Sequence, residues 1–197
     1  MKNSDISFKY IADRLVQFKS VELLDDVQLS DGLLDGSIAG AAVIACSDMG
    51  WLLRYVCSDP DANLHLFQNF GHRTDSGGFV ETVLDKRLET IIVYGHSPCG
   101  FAKYQAKEAP GEDSDWLEVG RRGVLEEMLR MLEESRIGEL AANEKLRVRV
   151  HGWFYNSESQ HLEVFDPVRK SFVEQISRLD YEPRIKFVPD QGLVGER

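Results

Sequence analysis

The chain has 197 residues, 43% hydrophobic and 28% charged, a composition that suits one soluble globular domain with a sizeable core. Its formal net charge of −10 sets the surface against phosphate backbones and anionic lipid, which excludes nucleic acid and membrane surfaces as expected partners but not a small neutral substrate. The polar start MKNSDISFKY lacks the apolar stretch of a secretory leader, the longest apolar run (39–46) is too short to span a bilayer, and three cysteines give no even disulfide framework, so a cytoplasmic protein with reduced thiols is expected.

In chain order, Phe8, Ile11, Leu15 and Phe18 repeat at helical spacing and predict an N-terminal helix. Residues 41–45 (AAVIA) and 64–67 (LHLF) read as short buried strands. Phe79, Val80, Val83, Leu84 and Leu88 fall on one helical face running into a third strand, 90–94 (TIIVY). Residues 107–114 (KEAPGEDS) read as an exposed loop, and Leu125, Met128, Leu129 and Leu132 as a helix before a fourth strand at 146–151 (LRVRVH). A fifth strand, 161–165 (HLEVF), alternates as an edge strand would and is joined to the fourth by a turn at NSESQ, predicting an antiparallel hairpin. After Pro167, the set Phe172, Val173, Ile176 and Leu179 predicts a C-terminal helix, and the residues from 189 read as a mobile or docking tail. No internal repeat is present. Strands alternating with helices imply crossover connections, hence a single α/β domain over 1–197 built on a mostly parallel sheet.

In open α/β sheets ligands bind beyond the carboxyl ends of the strands. The first strand runs into Cys46-Ser47-Asp48 and the third into Gly95-His96-Ser97-Pro98-Cys99-Gly100, so two thiols, an imidazole and a carboxylate emerge at one edge. That donor set suits zinc, which takes thiolate, imidazole and carboxylate in a tetrahedron and, in catalytic sites, leaves one position to water. A single cysteine at a strand end is more often a core residue; the convergence of three soft ligands is what points to a metal. Other thiol chemistry fits less well. The places where a phosphatase loop needs arginine hold Leu52 and Gln105, and there is no Cys-x-x-Cys pair. Cys57 has no partner in the pattern and reads as structural.

These segments resemble a known family. Cys46-Ser47-Asp48 resembles the Cys-x-Asp-x-Arg motif of β-carbonic anhydrases, and Gly95-His96-Ser97-Pro98-Cys99-Gly100 their Gly-His-Ser-x-Cys-Gly motif. Between them, Phe67-Gln68-Asn69-Phe70-Gly71-His72 is similar to the family's Phe-x-x-Arg-Asn-x-x-Asn segment; downstream, His151-Gly152-Trp153-Phe154-Tyr155 is similar to its His-Gly-Trp-x-Tyr strand. The matches run in the family's order from about Val43 to Asp166. The resemblance implies a parallel sheet extended by an antiparallel strand and flanked by helices. It also implies a homodimer or higher homo-oligomer, with residues 1–30 forming a helical arm that packs on a partner subunit. Zn2+ would be held by Cys46, His96 and Cys99, with Asp48 either a fourth ligand or the catalytic partner of the metal-activated water. Gln68, Phe70, Gly71, His72 and Gly100 would line the substrate pocket.

The departures bear on activity. Gly50 stands where the family's motif ends in arginine, Gln68 replaces the arginine of the middle segment, Phe70 replaces a small residue and His72 an asparagine. The missing arginine would tie Asp48 back through a charge-assisted hydrogen bond, worth about 1.5–3 kcal/mol. Without it Asp48 is expected to close the site more readily, unless Arg54 or Arg73 takes over the tie. Two functions stay open. One is zinc-dependent reversible hydration of CO2 to bicarbonate, weak or extended to a relative such as carbonyl sulfide or carbon disulfide, for which Phe70 would give a more apolar pocket and His72 a proton relay. The other is a non-catalytic homologue whose zinc, sealed by Asp48, has a structural or regulatory role.

Overall fold

A computed structural model of the chain describes residues 7–49, 63–69, 71, 78–108, 115–134, 136–142 and 148–175. Six strands form one sheet: β1 Ala41–Cys46, β2 Leu64–Asn69, β3 Thr90–Ser97, β4 Arg149–Asn156, β5 His161–Asp166 and β6 Ser171–Gln175, in the order β2-β1-β3-β4-β5-β6. The first four are parallel to one another, and β5 and β6 are added antiparallel. The described helices are α1 Phe8–Leu15, α2 Asp26–Asp35, α3 Gly78–Asp85, α4 Gly100–Glu108, α5 Trp116–Glu134 and α6 Arg136–Ala142. The fold is the expected mostly parallel α/β sheet flanked by helices, with two antiparallel strands rather than one.

β1 and β3 are buried along their whole length, as continuous apolar runs in a sheet covered on both faces must be. Alternate side chains feed two cores. Ala42, Ile44, Ile91 and Val93 pack with Val124, Leu125 and Met128 of α5. Val43, Ile92, Tyr94 and Trp153 pack on the other face with Leu29 of α2. The edge Tyr94–Trp153 ring pair, 5.4 Å between centroids, stiffens that second core directly behind His96.

The His151-Gly152-Trp153 run has a clear structural task. His151 Nδ1 donates to the Glu22 carbonyl at 2.7 Å, Trp153 Nε1 donates to the Leu24 carbonyl at 2.7 Å, and the Val150 amide donates to Ser20 at 2.8 Å. Three groups of β4 thus clasp the segment between α1 and α2. The stripe of α1 is buried within its own chain, with Ile11, Ala12 and Leu15 in the core. Arg14 pairs with Glu133 and Asp13 with Lys170, which bind the helix further to α5 and to the β5–β6 turn.

Three expectations need correction. The fifth strand is not an edge strand: β5 lies between β4 and β6 and is buried from Leu162 to Phe165. Residues 171–175 form β6, not the start of a C-terminal helix, because the preceding turn dictates a hairpin. Asp166 Oδ1 accepts the amides of Val168 and Arg169, Lys170 takes a left-handed conformation (φ 57°), and its amide returns to the Asp166 carbonyl at 2.8 Å. Phe172 then packs against Phe8, Phe154 and Phe165; Ile176, Leu179 and the expected tail lie outside the described residues. Lys107 and Glu108 belong to α4, not to a loop. α2 was not expected at all, although Asp25 and Gln28 form a reciprocal capping box and Gly36 closes the helix in the left-handed region (φ 77°).

Candidate metal centre

β1 and β3 are parallel neighbours, with Ala45 opposite Tyr94, so the residues that follow them leave the sheet together at its carboxyl edge. β1 ends on Cys46, and a short 3-10 helix, Ser47–Met49, turns Asp48 back toward the edge. β3 carries His96 in its last turn of pleat; after Pro98 the chain places Cys99 and enters α4 at Gly100. The structure therefore brings together the four residues expected to meet: one donor atom from each of Cys46, Asp48, His96 and Cys99 lies within 4.8 Å of all the others.

The two sulfurs are 3.9 Å apart. Zinc–sulfur bonds of about 2.3 Å at the tetrahedral angle would put them about 3.8 Å apart, so the spacing fits the ion without rearrangement. Nε2 of His96 is buried and, among the described residues, finds no hydrogen-bond partner outside the donor cluster, a costly state for an imidazole. Cys46 and Cys99 are fully buried, 0% and 2% exposed, and Asp48 alone faces solvent.

The environment favours the thiolate at Cys46 and the thiol at Cys99. Cys46 is held well below the usual thiol range, first because the Cys99 thiol donates to it, and against the cost of burial the His96 side chain and the amides of Asp48 and Gly71 add to the effect. Cys99 is pushed up because it is the donor to Cys46 and is itself buried, although the amides of Phe101 and Ala102, in the first turn of α4, favour its thiolate. One proton shared by two such sulfurs is the arrangement that a dication replaces. Gly71 has to be glycine for its part: φ is 77°, and a Cβ there would stand 2.7 Å from the Phe101 ring.

Asp48 Oδ2 accepts the Gly100 amide at 3.2 Å. This backbone donor, at the start of α4, restrains the carboxylate. Sequence reasoning did not find it, since a backbone amide leaves no trace in residue identity.

A second set of polar groups backs the β3–α4 loop. Ser97 donates to Asn156 Oδ1 at 3.4 Å and accepts the Ser157 amide at 2.9 Å; Asn156 Nδ2 reaches Glu163 at 3.5 Å. Glu163 is held by both nitrogens of an Arg121 fork at 2.6 and 2.7 Å, and the guanidinium lies over the Phe154 ring. Glu163 raises the pKa of Arg121 further. The sequence showed Arg121 only as part of a basic pair on a helix. A charge flanked by buried Leu162 and Val164 in β5 was the available signal that Glu163 points inward to a partner.

A cavity of about 160 Å³ opens onto Asp48 and His96, walled by Met49, Pro98, Tyr155 and Ser157. Of the pocket residues expected from the sequence, Gln68 is exposed on edge strand β2, Gly71 sits beneath Phe101, and Gly100 starts α4. Phe70 and His72 lie outside the described residues, as do Gly50, Arg54, Arg73 and Cys57.

The sheet order, the crossovers and the antiparallel extension define the fold of the β-carbonic anhydrases. Three solved structures share it: the β-carbonic anhydrase CcaA (19% identity, TM-score 0.55, covering 77% of this chain and 84% of that one), one of two tetrameric β-carbonic anhydrases from the filamentous ascomycete Sordaria macrospora (16%, 0.51, 66% and 83%), and a variant of the β-carbonic anhydrase CafD of the filamentous fungus Aspergillus fumigatus (14%, 0.51, 73% and 97%). No family model and no curated protein matches the sequence. At these identities the likeness establishes the fold and leaves the chemistry to the site.

Proposed function

We propose that the chain holds one Zn2+ through Cys46, His96 and Cys99 and catalyses the reversible hydration of CO2 to bicarbonate. The observation that carries this reading is the donor cluster, four atoms within 4.8 Å at the carboxyl edge of β1 and β3 with the His96 Nε2 otherwise orphaned. Zinc bound there supplies the Lewis acidity that makes water a nucleophile near neutral pH. The chain's own groups do the rest. The amides of Asp48 and Gly71 favour the Cys46 thiolate, those of Phe101 and Ala102 ease the loss of the Cys99 proton to a metal, and Tyr94 and Trp153 pack in the core beside the strand that carries His96. Asp48, fixed through Oδ2 by Gly100, keeps Oδ1 to orient the attacking water and receive its proton. Carbonyl sulfide, a linear relative of CO2, falls within the same chemistry. Assembly into a homo-oligomer, through the arm at residues 1–30, and a cytoplasmic setting belong to the proposal; among the described residues no helix is long and apolar enough to cross a membrane.

A second reading rests on Asp48 itself. Its carboxylate is one of the clustered donors and, among the described residues, is tied by the Gly100 amide, with Gly50 in place of an arginine. A small swing would make it the fourth ligand and the zinc structural. Stopped-flow CO2 hydration between about pH 7 and 9, on protein of confirmed zinc content, separates the two. A zinc-dependent rate lost in Cys99→Ser supports the enzyme. A full zinc complement with no rate above buffer supports the sealed site.

A further inference from the structure

The substrate pocket expected from the sequence lay on the β2 flank, around Gln68 and Gly71; among the described residues, a cavity also reaches the donor cluster on the β4 flank. Its floor is Asp48 and His96 and its walls are Met49, Pro98, the ring of Tyr155 and Ser157. Register explains the placement. Tyr155 is the β4 partner of His96, and Ser157 follows Asn156, the partner of Ser97, so the end of β4 overhangs the imidazole. The Ser157 amide is used to fix Ser97 at 2.9 Å, which holds the residue and its side chain at the mouth.

We propose that small ligands reach the metal position through this β4-flank cavity and that Ser157 sets the size and polar end of what is accepted. The inference rests on the zinc reading above. A cavity of about 160 Å³ admits a small molecule, up to about the size of a benzene ring. Its walls give an apolar passage, from Met49, Pro98 and the Tyr155 ring, with polar groups at its two ends, the His96–Asp48 floor and the Ser157 hydroxyl. The ligand class is therefore a small molecule of up to about six heavy atoms with polar termini, a class that takes in CO2, carbonyl sulfide, bicarbonate and triatomic anions.

The test uses the full-length protein loaded with Co2+, whose thiolate charge-transfer and ligand-field bands report the metal and its access separately, and azide as the probe. Three proteins are compared: unsubstituted, Ser157→Trp, which fills the β4-flank mouth, and Gln68→Trp, which crowds the β2 flank. Ser157→Leu serves as a milder filling should the tryptophan variant fail to fold by circular dichroism. The expected result is a cobalt spectrum in all, azide affinity weakened at least about tenfold by filling at Ser157, and less than about twofold change at Gln68. Azide binding indifferent to both Ser157 substitutions, weakened instead by Gln68→Trp, or absent from unsubstituted cobalt protein would overturn the inference while leaving the metal reading intact. Absence of the thiolate band in unsubstituted protein would overturn the metal reading, and this one with it.

Discussion

The Gly100 amide donates to Asp48 Oδ2 at 3.2 Å, and a Cβ at Gly100 would lie 3.3 Å from the same oxygen. Residue 100 therefore acts on Asp48 through its backbone and through its lack of a side chain. Proline is tolerated at a first helical position and removes the N–H; alanine keeps the N–H and crowds the oxygen by a few tenths of an ångström. Hydrogen bonds to charged groups contribute about 1.5–3 kcal/mol, a factor of roughly 10–100. Gly100→Pro is expected to lower CO2 hydration by at least about tenfold with zinc content unchanged, and Gly100→Ala by less. Equal loss in both variants would show that crowding, not the hydrogen bond, controls Asp48.

Gly50→Arg tests the same carboxylate by a second route. A guanidinium at position 50 restores the tie that the resemblance leads one to expect, and should raise the hydration rate by about tenfold or more without altering zinc content. No gain would mean that the Gly100 amide already suffices.

How far the sequence revealed all this varies with the physics involved. β1 and β3 were legible because strands buried on both faces are unbroken apolar runs, and the metal residues because strand ends collect ligands in parallel sheets. β6 was misread because five residues around Phe172 and Val173 fit either period, and the Asp166–Lys170 turn settles the matter through backbone hydrogen bonds. The Ser97–Asn156–Glu163–Arg121 chain was invisible because its successive links join residues 59, 7 and 42 positions apart, and it forms through β-sheet register, which exists only once the strands pair.

Arg121 and Glu163 form a bidentate pair whose side chains are 25% and 12% exposed. Removing the cation strands a carboxylate between buried neighbours, so Arg121→Ala should destabilise the fold by about 3 kcal/mol in urea unfolding. Arg121→Leu combined with Glu163→Leu should recover most of that loss. A double variant no more stable than the single one would show that the network, not the stranded charge, is what matters.

Burial lowers the His151 pKa to about 4; the hydrogen bond to the Glu22 carbonyl opposes the shift, and nearby Arg149 adds to it. The unfolded imidazole titrates near 6.5, so between these values the unfolded state binds more protons and stability falls as pH drops from about 6.5 toward 4. The loss attributable to this residue is about 3 kcal/mol at most, and below pH 4 it no longer grows. Urea midpoints of His151→Gln measured at about pH 7.5 and 5 should show a smaller acid loss than those of the unsubstituted chain. An identical loss would place the acid sensitivity elsewhere.

The coupled sulfurs make the last prediction. With zinc stripped by a chelator, the proton shared between Cys46 and Cys99 resides on Cys99, because Cys46 is stabilised as the anion by that thiol, by His96 and by two amides. Thiolates, not thiols, are alkylated. Iodoacetamide should therefore modify Cys46 ahead of Cys99 in stripped protein, as read by peptide mass mapping, and zinc should protect both. Preferential labelling of Cys99 would reverse the assignment of the proton. Labelling of both at the same rate with zinc present would show that the ion is not held by these sulfurs.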